Sequence, residues 1–121
     1  MQSFRNLKVW QTSHEVTLAG YRITRSFRRD ELLGLTSQIR RACASVAANI
    51  AEGCGRGSDA DMARFLYMAM GSASEAEYHF LLAHDLGFLE EKEYRQINSQ
   101  IVEVKRMLTG FLQTLKPQAD S

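Results

Sequence analysis

The chain has 121 residues, of which 45% are hydrophobic and 24% charged, with a net charge of +1 and a single proline. This length suits one domain with a modest core. No run approaches the roughly 18 consecutive apolar residues of a membrane-spanning helix, and the N-terminus lacks the charged-then-apolar pattern of an export signal. We therefore expect a cytoplasmic protein that binds no membrane, and its two cysteines do not make a disulfide framework.

The first predicted helix spans about residues 4–27 and carries two apolar stripes. One stripe consists of Leu7, Trp10, Leu18 and Tyr21, and the other of Val9, Val16, Ile23 and Phe27. A helix of a monomeric bundle needs only one such stripe. The extra stripe indicates either contact with a second subunit or a core that covers an unusually wide face of the helix.

The second predicted helix spans about residues 31–52, with Asp30 as its N-cap and Gly53 just past its end. One face is apolar and consists of Leu35, Ile39, Ala42, Val46 and Ile50. Another face carries a polar ladder at helical spacing, made of Gln38, Arg41, Ser45, Asn49 and Glu52. Because small residues fill the remaining positions, we predict that this ladder is buried and internally hydrogen-bonded.

The third and fourth predicted helices, at about residues 59–86 and 90–115, carry apolar seams at alternating steps of four and three. Ser58 is the expected N-cap of the third helix, and Gly87 its left-handed cap. Residues 116–121 form a tail. Four helices with short connections predict a single domain, residues 1–121, with an all-α antiparallel up-down-up-down four-helix bundle.

Two segments of the chain resemble a known family. They read LTSQIRRACASVAANIAEGCGRGS and FLYMAMGSASEAEYHFLLAHDLGFL, and contain the patterns Gln-x-x-Arg, Ser-x-x-x-Asn-x-x-Glu-Gly and Gly-Ser-x-x-Glu. Over about Phe4 to Leu115 the chain resembles the bacterial four-helix-bundle family encoded by intervening sequences in 23S ribosomal RNA genes. A relative of that family is the accessory variability protein of diversity-generating retroelements.

The resemblance implies a non-enzymatic scaffold. Members of this family form ring-like homo-oligomers, often pentamers, around a central channel. The relatives from retroelements bind a reverse transcriptase and nucleic acid. The expected partners are therefore further copies of the chain, RNA or DNA, and an enzyme that acts on nucleic acid.

The polar ladder is the first candidate site. It extends to Ser72 and Glu75 on the third helix, where small residues leave room for a partner. A buried arginine must be paired, because an unpaired interior charge costs several kcal/mol. We predict that Arg41 pairs with Glu75, with Glu52, or with both, and that the ladder fixes helix register.

A basic cluster is the second candidate site. Residues 1–57 contain nine Lys and Arg against four acids, a net charge of +5, which leaves −4 for the remainder. Contact with nucleic acid requires side chains that neutralise phosphates, and the candidates are Arg22, Arg25, Arg28, Arg29, Arg40 and Arg56. The alternatives are a solvated basic end, and a contact between the basic half of one subunit and the acidic half of another.

Catalytic and metal sites are not indicated. The histidines His14, His79 and His84 are not spaced as ligands on one helix face, and the Glu-x-x-His repeat of di-iron bundles is missing. No nucleophile stands beside a base, so we predict neither an enzyme nor a cofactor. The alternatives are a protein-binding partner of the toxin–antitoxin type and, less favoured, a bundle that binds a metal or cofactor.

Overall fold

The computed structural model describes residues 3–115, most of which lie in four α-helices. The helices are α1 (Lys8–Thr24), α2 (Ser37–Cys54), α3 (Asp59–Asp85) and α4 (Glu91–Thr114). Consecutive helices pack against each other and α4 returns to α1, so that α1 lies diagonally across the bundle from α3. The predicted all-α four-helix bundle is confirmed. The predicted tail, residues 116–121, lies outside the described residues.

The core is built from the inner faces of the helices. It includes Ile39, Ala42, Val46 and Ile50 of α2, and Ala69, Ala73 and Ala76 of α3. Because alanine side chains keep neighbouring backbones close together, α2 and α3 form the most extensive helix pair of the bundle. Phe80 is fully buried beside them and fills the space that the small residues leave.

The two apolar stripes of α1 have different environments. Val9, Val16 and Ile23 are buried in the core. Leu18 is 53% exposed and Tyr21 is 43% exposed. The core therefore does not cover the second stripe at Leu18 and Tyr21, and α1 exposes these apolar side chains to solvent.

The connection between α1 and α2 differs from the prediction. α1 ends at Thr24 and does not continue to Phe27, and a 3-10 turn (Arg29–Glu31) and a π-helical turn (Leu32–Thr36) precede α2. The backbone leaves helical geometry at Gly34, where φ is −108° and ψ is −109°. Glycine is among the weakest helix formers, so the break in the predicted second helix falls at this residue.

The predicted N-cap, Asp30, does not cap a helix. Its carboxylate instead accepts a hydrogen bond from the Arg28 guanidinium at 2.7 Å. The capping role passes to Glu31, whose carboxylate accepts the Leu35 N–H at 3.2 Å. The cap therefore stands one residue later than predicted and serves the π-helical turn.

Both ends of α3 are capped. The Ser58 hydroxyl accepts the Asp61 N–H at 3.1 Å, as the sequence predicts. At the other end Gly87 has a φ of +84°, and the Phe88 N–H donates to the Ala83 carbonyl oxygen at 2.9 Å. This is the six-residue closure of a Schellman motif.

α2 extends further than predicted. It continues to Cys54, so Gly53 lies inside the helix and not just past its end. A Cβ at position 53 would lie 3.0 Å from the Met62 sulfur and 3.2 Å from the Phe65 Cβ. Gly53 is therefore needed because the first turns of α3 pack directly against it.

None of the helices within residues 3–115 combines the length and apolar character needed to span a bilayer.

Candidate nucleic-acid interface

A row of polar contacts runs along the α2–α3 seam. The Ser45 and Ser72 hydroxyl oxygens are 2.9 Å apart, and the Asn49 amide donates to the Ser45 carbonyl oxygen at 2.9 Å. One turn earlier on α2, the Arg41 guanidinium donates to the Glu75 carboxylate at 3.1 Å. The ladder predicted from the sequence thus joins the two helices, and its contacts suit one register of α2 against α3.

The prediction that Arg41 is buried is wrong, because its side chain is 60% exposed. It donates to Gln38 and Glu75, whereas Glu52 pairs with Arg56 at 2.9 Å. Arg41 and Glu52 are eleven residues apart on one helix, or about 16 Å at about 1.5 Å of rise per residue, which is too far for an ion pair. The ladder therefore lies at the solvent edge of the seam.

An open groove of about 380 Å³ lies where α1 leads into α2. Four of the six arginines predicted to contact nucleic acid line it, namely Arg25, Arg28, Arg29 and Arg40. The other lining residues are Thr24, Phe27, Leu32 and Thr36. Three of the arginines follow the end of α1 and the fourth stands in the first turn of α2, so the short connection brings all four together. We call this feature the arginine groove.

Arg40 is held in place by α1. Its Nε–H donates to the Thr24 hydroxyl oxygen at 2.9 Å, and that hydroxyl donates to the Gly20 carbonyl oxygen at 2.8 Å. The guanidinium carbon also stands 4.8 Å from the centre of the Tyr21 ring, within the range of a cation–π contact. Within residues 3–115, the terminal NH2 groups of Arg40 have no hydrogen-bond acceptor, so they are available to a ligand.

Within the described residues, most of the positive charge in the arginine groove has no carboxylate partner. Arg28 forms an ion pair with Asp30 at 2.7 Å. No carboxylate of the described residues forms an ion pair with Arg25, Arg29 or Arg40. Several cations gathered in one concave surface raise the local concentration of anions.

The remaining two arginines of the predicted set lie elsewhere. Arg22 lines a separate groove between α1 and α4, together with Glu15 and Glu93. Arg56 follows the end of α2 at the opposite end of the bundle, where it pairs with Glu52. Because α1 ends at Thr24, Arg22 lies on that helix, whereas Arg25 and Arg29 follow its end.

Two polar residues of the arginine groove were not predicted from the sequence. Thr24 and Thr36 are both 3% exposed, and both line the groove. Thr24 is sixteen residues before Arg40, so no helical or strand spacing connects them in the sequence. Only the packing of α1 against α2 brings them together.

His84 links the end of α3 to the start of α4. Its Nε2 lies 2.6 Å from a Glu91 carboxylate oxygen, and its Nδ1 lies 3.2 Å from Asp85. Hydrogen bonds that His84 donates to Glu91 and then to Asp85 raise the pKa of His84. In the part of the chain that the structure describes, no group of His, Cys, Asp and Glu is placed to hold a metal ion.

Comparison with known proteins supports the fold. A family model described as 23S rRNA-intervening sequence protein matches residues 5–110. The structure resembles the crystal structure of a protein of unknown function from the S23 ribosomal protein family of Bacteroides thetaiotaomicron, with a TM-score of 0.81. The two are 24% identical, over 87% of this chain and 95% of the other, and at this identity the likeness shows the fold alone. No curated protein matches the chain.

Proposed function

The chain belongs to the 23S rRNA-intervening sequence protein family, and on this premise we propose that it is a non-enzymatic, homo-oligomeric scaffold that binds nucleic acid in the arginine groove. The observation that carries the proposal is the placement of Arg25, Arg28, Arg29 and Arg40 around one open groove. Of these four, Arg28 alone has a carboxylate partner within residues 3–115. The groove is therefore a local excess of positive charge on a chain of nearly zero net charge.

Guanidinium groups suit this role because their planar N–H donors match the geometry of phosphate oxygens. Arg40 is held by Thr24 at 2.9 Å, so part of the entropy cost of ordering it is already met before a ligand binds. The lining contains arginine and threonine but no histidine, cysteine or carboxylate. This composition favours binding of an anion over acid–base or nucleophilic chemistry.

Self-association is supported by two exposed stripes on diagonally opposite helices. On α1, Leu18 and Tyr21 are exposed. On α3, the stripe at heptad spacing consists of Tyr67, Gly71, Ser74, Tyr78 and Leu81, all of them exposed. Two different faces on opposite sides of a subunit suit a head-to-tail contact, which closes into a ring when the rotation between subunits allows it. We propose a ring of this kind, with five subunits as the size that the sequence resemblance implies.

Nucleic-acid binding is tested by titrating a short RNA hairpin and a DNA duplex with the protein at several salt concentrations. The paired change Arg25→Gln and Arg29→Gln should weaken binding and reduce the slope of log K against log salt by about two, since each phosphate contact contributes about one. The matched control is Arg64→Gln with Arg106→Gln, which removes two exposed arginines outside the groove. Absence of salt-dependent binding by the unaltered protein at low salt would refute the proposal.

The assembly is tested separately by sedimentation velocity and light scattering. A ring predicts a single species several times the mass of the chain, 13.7 kDa. A monomer at micromolar concentration would rule the ring out. A reverse transcriptase as a further partner stays a prediction, tested by co-purification with any such enzyme encoded beside this gene.

A further inference from the structure

Two adjacent leucines stand exposed at the start of the helical region that leads into α2. Leu32 is 54% exposed and Leu33 is 92% exposed. The next leucine, Leu35, is 7% exposed and anchors the segment to the core. Because the two exposed leucines are adjacent, they form an apolar patch on the surface of the subunit, and exposed apolar patches mark sites of interaction.

The backbone around the two leucines is held in place. The Glu31 N–H donates to the Arg28 carbonyl oxygen at 2.9 Å, and the Glu31 carboxylate accepts the Leu35 N–H at 3.2 Å. A Cβ at Gly34 would stand 3.1 Å from that carboxylate. The turn is therefore defined on both sides of the leucines, and they project from a formed structure.

Leu32 adjoins the arginine groove, and Leu33 is the next residue in the chain. Leu32 lines the groove together with Arg25, Arg28, Arg29 and Arg40. We propose that Leu32 and Leu33 insert between neighbouring bases of the nucleic acid whose phosphates the arginines hold. This inference rests on the function proposed above, and it assigns to the turn Leu32–Thr36 the role of an apolar wedge.

The chemistry of a nucleic acid fits this arrangement better than that of a free anion. Phosphates offer negative charge to Arg25, Arg29 and Arg40, which have no carboxylate partner within residues 3–115, and the bases attached to the phosphates offer flat apolar faces. Aliphatic side chains inserted between base steps unstack them and bend the strand. A free phosphate would occupy the groove but leave both leucines in water.

The wedge is tested with an RNA hairpin and a DNA duplex that each carry 2-aminopurine, whose fluorescence rises when it is unstacked. Leu33→Ser should abolish the rise and weaken binding about tenfold, because the burial of one leucine is lost. The slope of log K against log salt should not change, since no charge is removed. The replaced side chain is 92% exposed, so the variant is expected to fold.

Two further variants sharpen the test. Leu33→Phe should retain the fluorescence change, because an apolar side chain is kept. Val102→Ser removes an exposed apolar side chain from the middle of α4, outside the arginine groove and the proposed contact stripes, and should have no effect. If Leu33→Ser binds and unstacks bases like the unaltered protein, while Arg25→Gln with Arg29→Gln still weakens binding, the wedge is refuted and the proposed function stands.

A lipid surface is the competing occupant for exposed leucines beside arginines. Sedimentation of the protein with vesicles of phosphatidylserine and phosphatidylcholine measures binding to a lipid surface directly. Vesicle binding that Leu33→Ser abolishes, together with no 2-aminopurine signal from either nucleic acid, would overturn the wedge. Base unstacking without vesicle binding would support it.

Discussion

The Arg41 guanidinium and the Glu75 carboxylate lie 3.1 Å apart across the α2–α3 seam, with 60% and 40% of their side chains exposed. The His79 Nε2 lies 3.4 Å from the same Glu75 oxygen that Arg41 contacts. Water competes for the Arg41 and Glu75 groups, whereas the His79 side chain is only 16% exposed. The pair therefore favours one register of the two helices and contributes little to the stability of the fold.

Replacing Arg41 by Ala is expected to lower the free energy of unfolding by at most about 1 kcal/mol, because an exposed ion pair contributes no more than that. Urea denaturation of Arg41→Ala, of Glu75→Gln and of the double variant measures how much free energy the ion pair contributes to folding. A loss of about 3–5 kcal/mol is typical of a broken buried pair. Such a loss would contradict the exposed geometry of Arg41.

The link between His84 and Glu91 is expected to make stability depend on pH. Hydrogen bonds that His84 donates to Glu91 and Asp85 raise the pKa of His84 above 6.5, so the contribution of His84 to stability is complete below 6.5 and is lost as pH rises through the raised value. Hydrogen bonds from Arg95 and His84 lower the pKa of Glu91 below 4.5. The contribution of Glu91 is therefore complete above 4.5 and is lost as pH falls through the lowered value. Both contributions are present between 4.5 and 6.5.

The measurement is the melting temperature of the unaltered protein and of His84→Gln across this range and above it. The melting temperature of the unaltered protein should exceed that of the variant most between pH 4.5 and 6.5. This difference in melting temperature should shrink as pH rises through the raised pKa of His84. Tyr94→Leu, which removes the ring stacked on His84 at 4.5 Å, should keep the pH dependence. If the difference in melting temperature instead grows toward alkaline pH, the assigned hydrogen bonds are contradicted.

The two thiols are expected to be unreactive in the native protein. Burial raises the pKa of Cys43 to about 12 and also raises the pKa of Cys54. Since the thiolate is the reactive form, a disulfide reagent at neutral pH should modify neither residue until denaturant is added. Rapid modification of a Cys43→Ala variant would show that Cys54 is open, contrary to its 5% exposure.

Gly71 and Gly110 provide a matched pair for testing self-association. Both lie inside helices, both are exposed, and a Cβ at either would meet nothing within 4 Å. Changing either to Ala should stabilise the subunit by about 1 kcal/mol. Only Gly71 belongs to the exposed stripe of α3, so Gly71→Leu should reduce the mass measured by light scattering and Gly110→Leu should not. Equal effects of the two leucine variants would remove the α3 stripe from the proposed contact.

The helices were predictable because their signals are local. α3 and α4 begin and end within one residue of the predicted bounds, since heptad spacing, the Ser58 cap and the Gly87 closure all lie close to the positions they specify. The kink at Gly34 was harder to predict, because the flanking leucines suit a continuous helix. Gly34 itself was the signal in the sequence for a break in the helix.

The sites were less predictable because they depend on packing between helices. Small neighbours made Arg41 resemble a buried residue, but alanine is compatible with both an interior and an exposed seam. The number of arginines identified a basic half of the chain. The sequence does not show, however, that Arg40 lines the arginine groove and that Arg56 lies at the other end of the bundle. The contact between Arg40 and Thr24 exists only in three dimensions.

The rings of Phe27 and Phe88 lie 5.6 Å apart, which places the arginine groove and the first turn of α4 at the same end of the bundle. That first turn carries the exposed acids Glu91 and Glu93, with Glu90 just before it. A polyanion reaching this end is attracted on the α1–α2 side and repelled on the α3–α4 side. A strand bound as proposed would therefore leave each subunit away from the α3–α4 side, and in a ring of identical subunits every such path would turn in the same rotational sense.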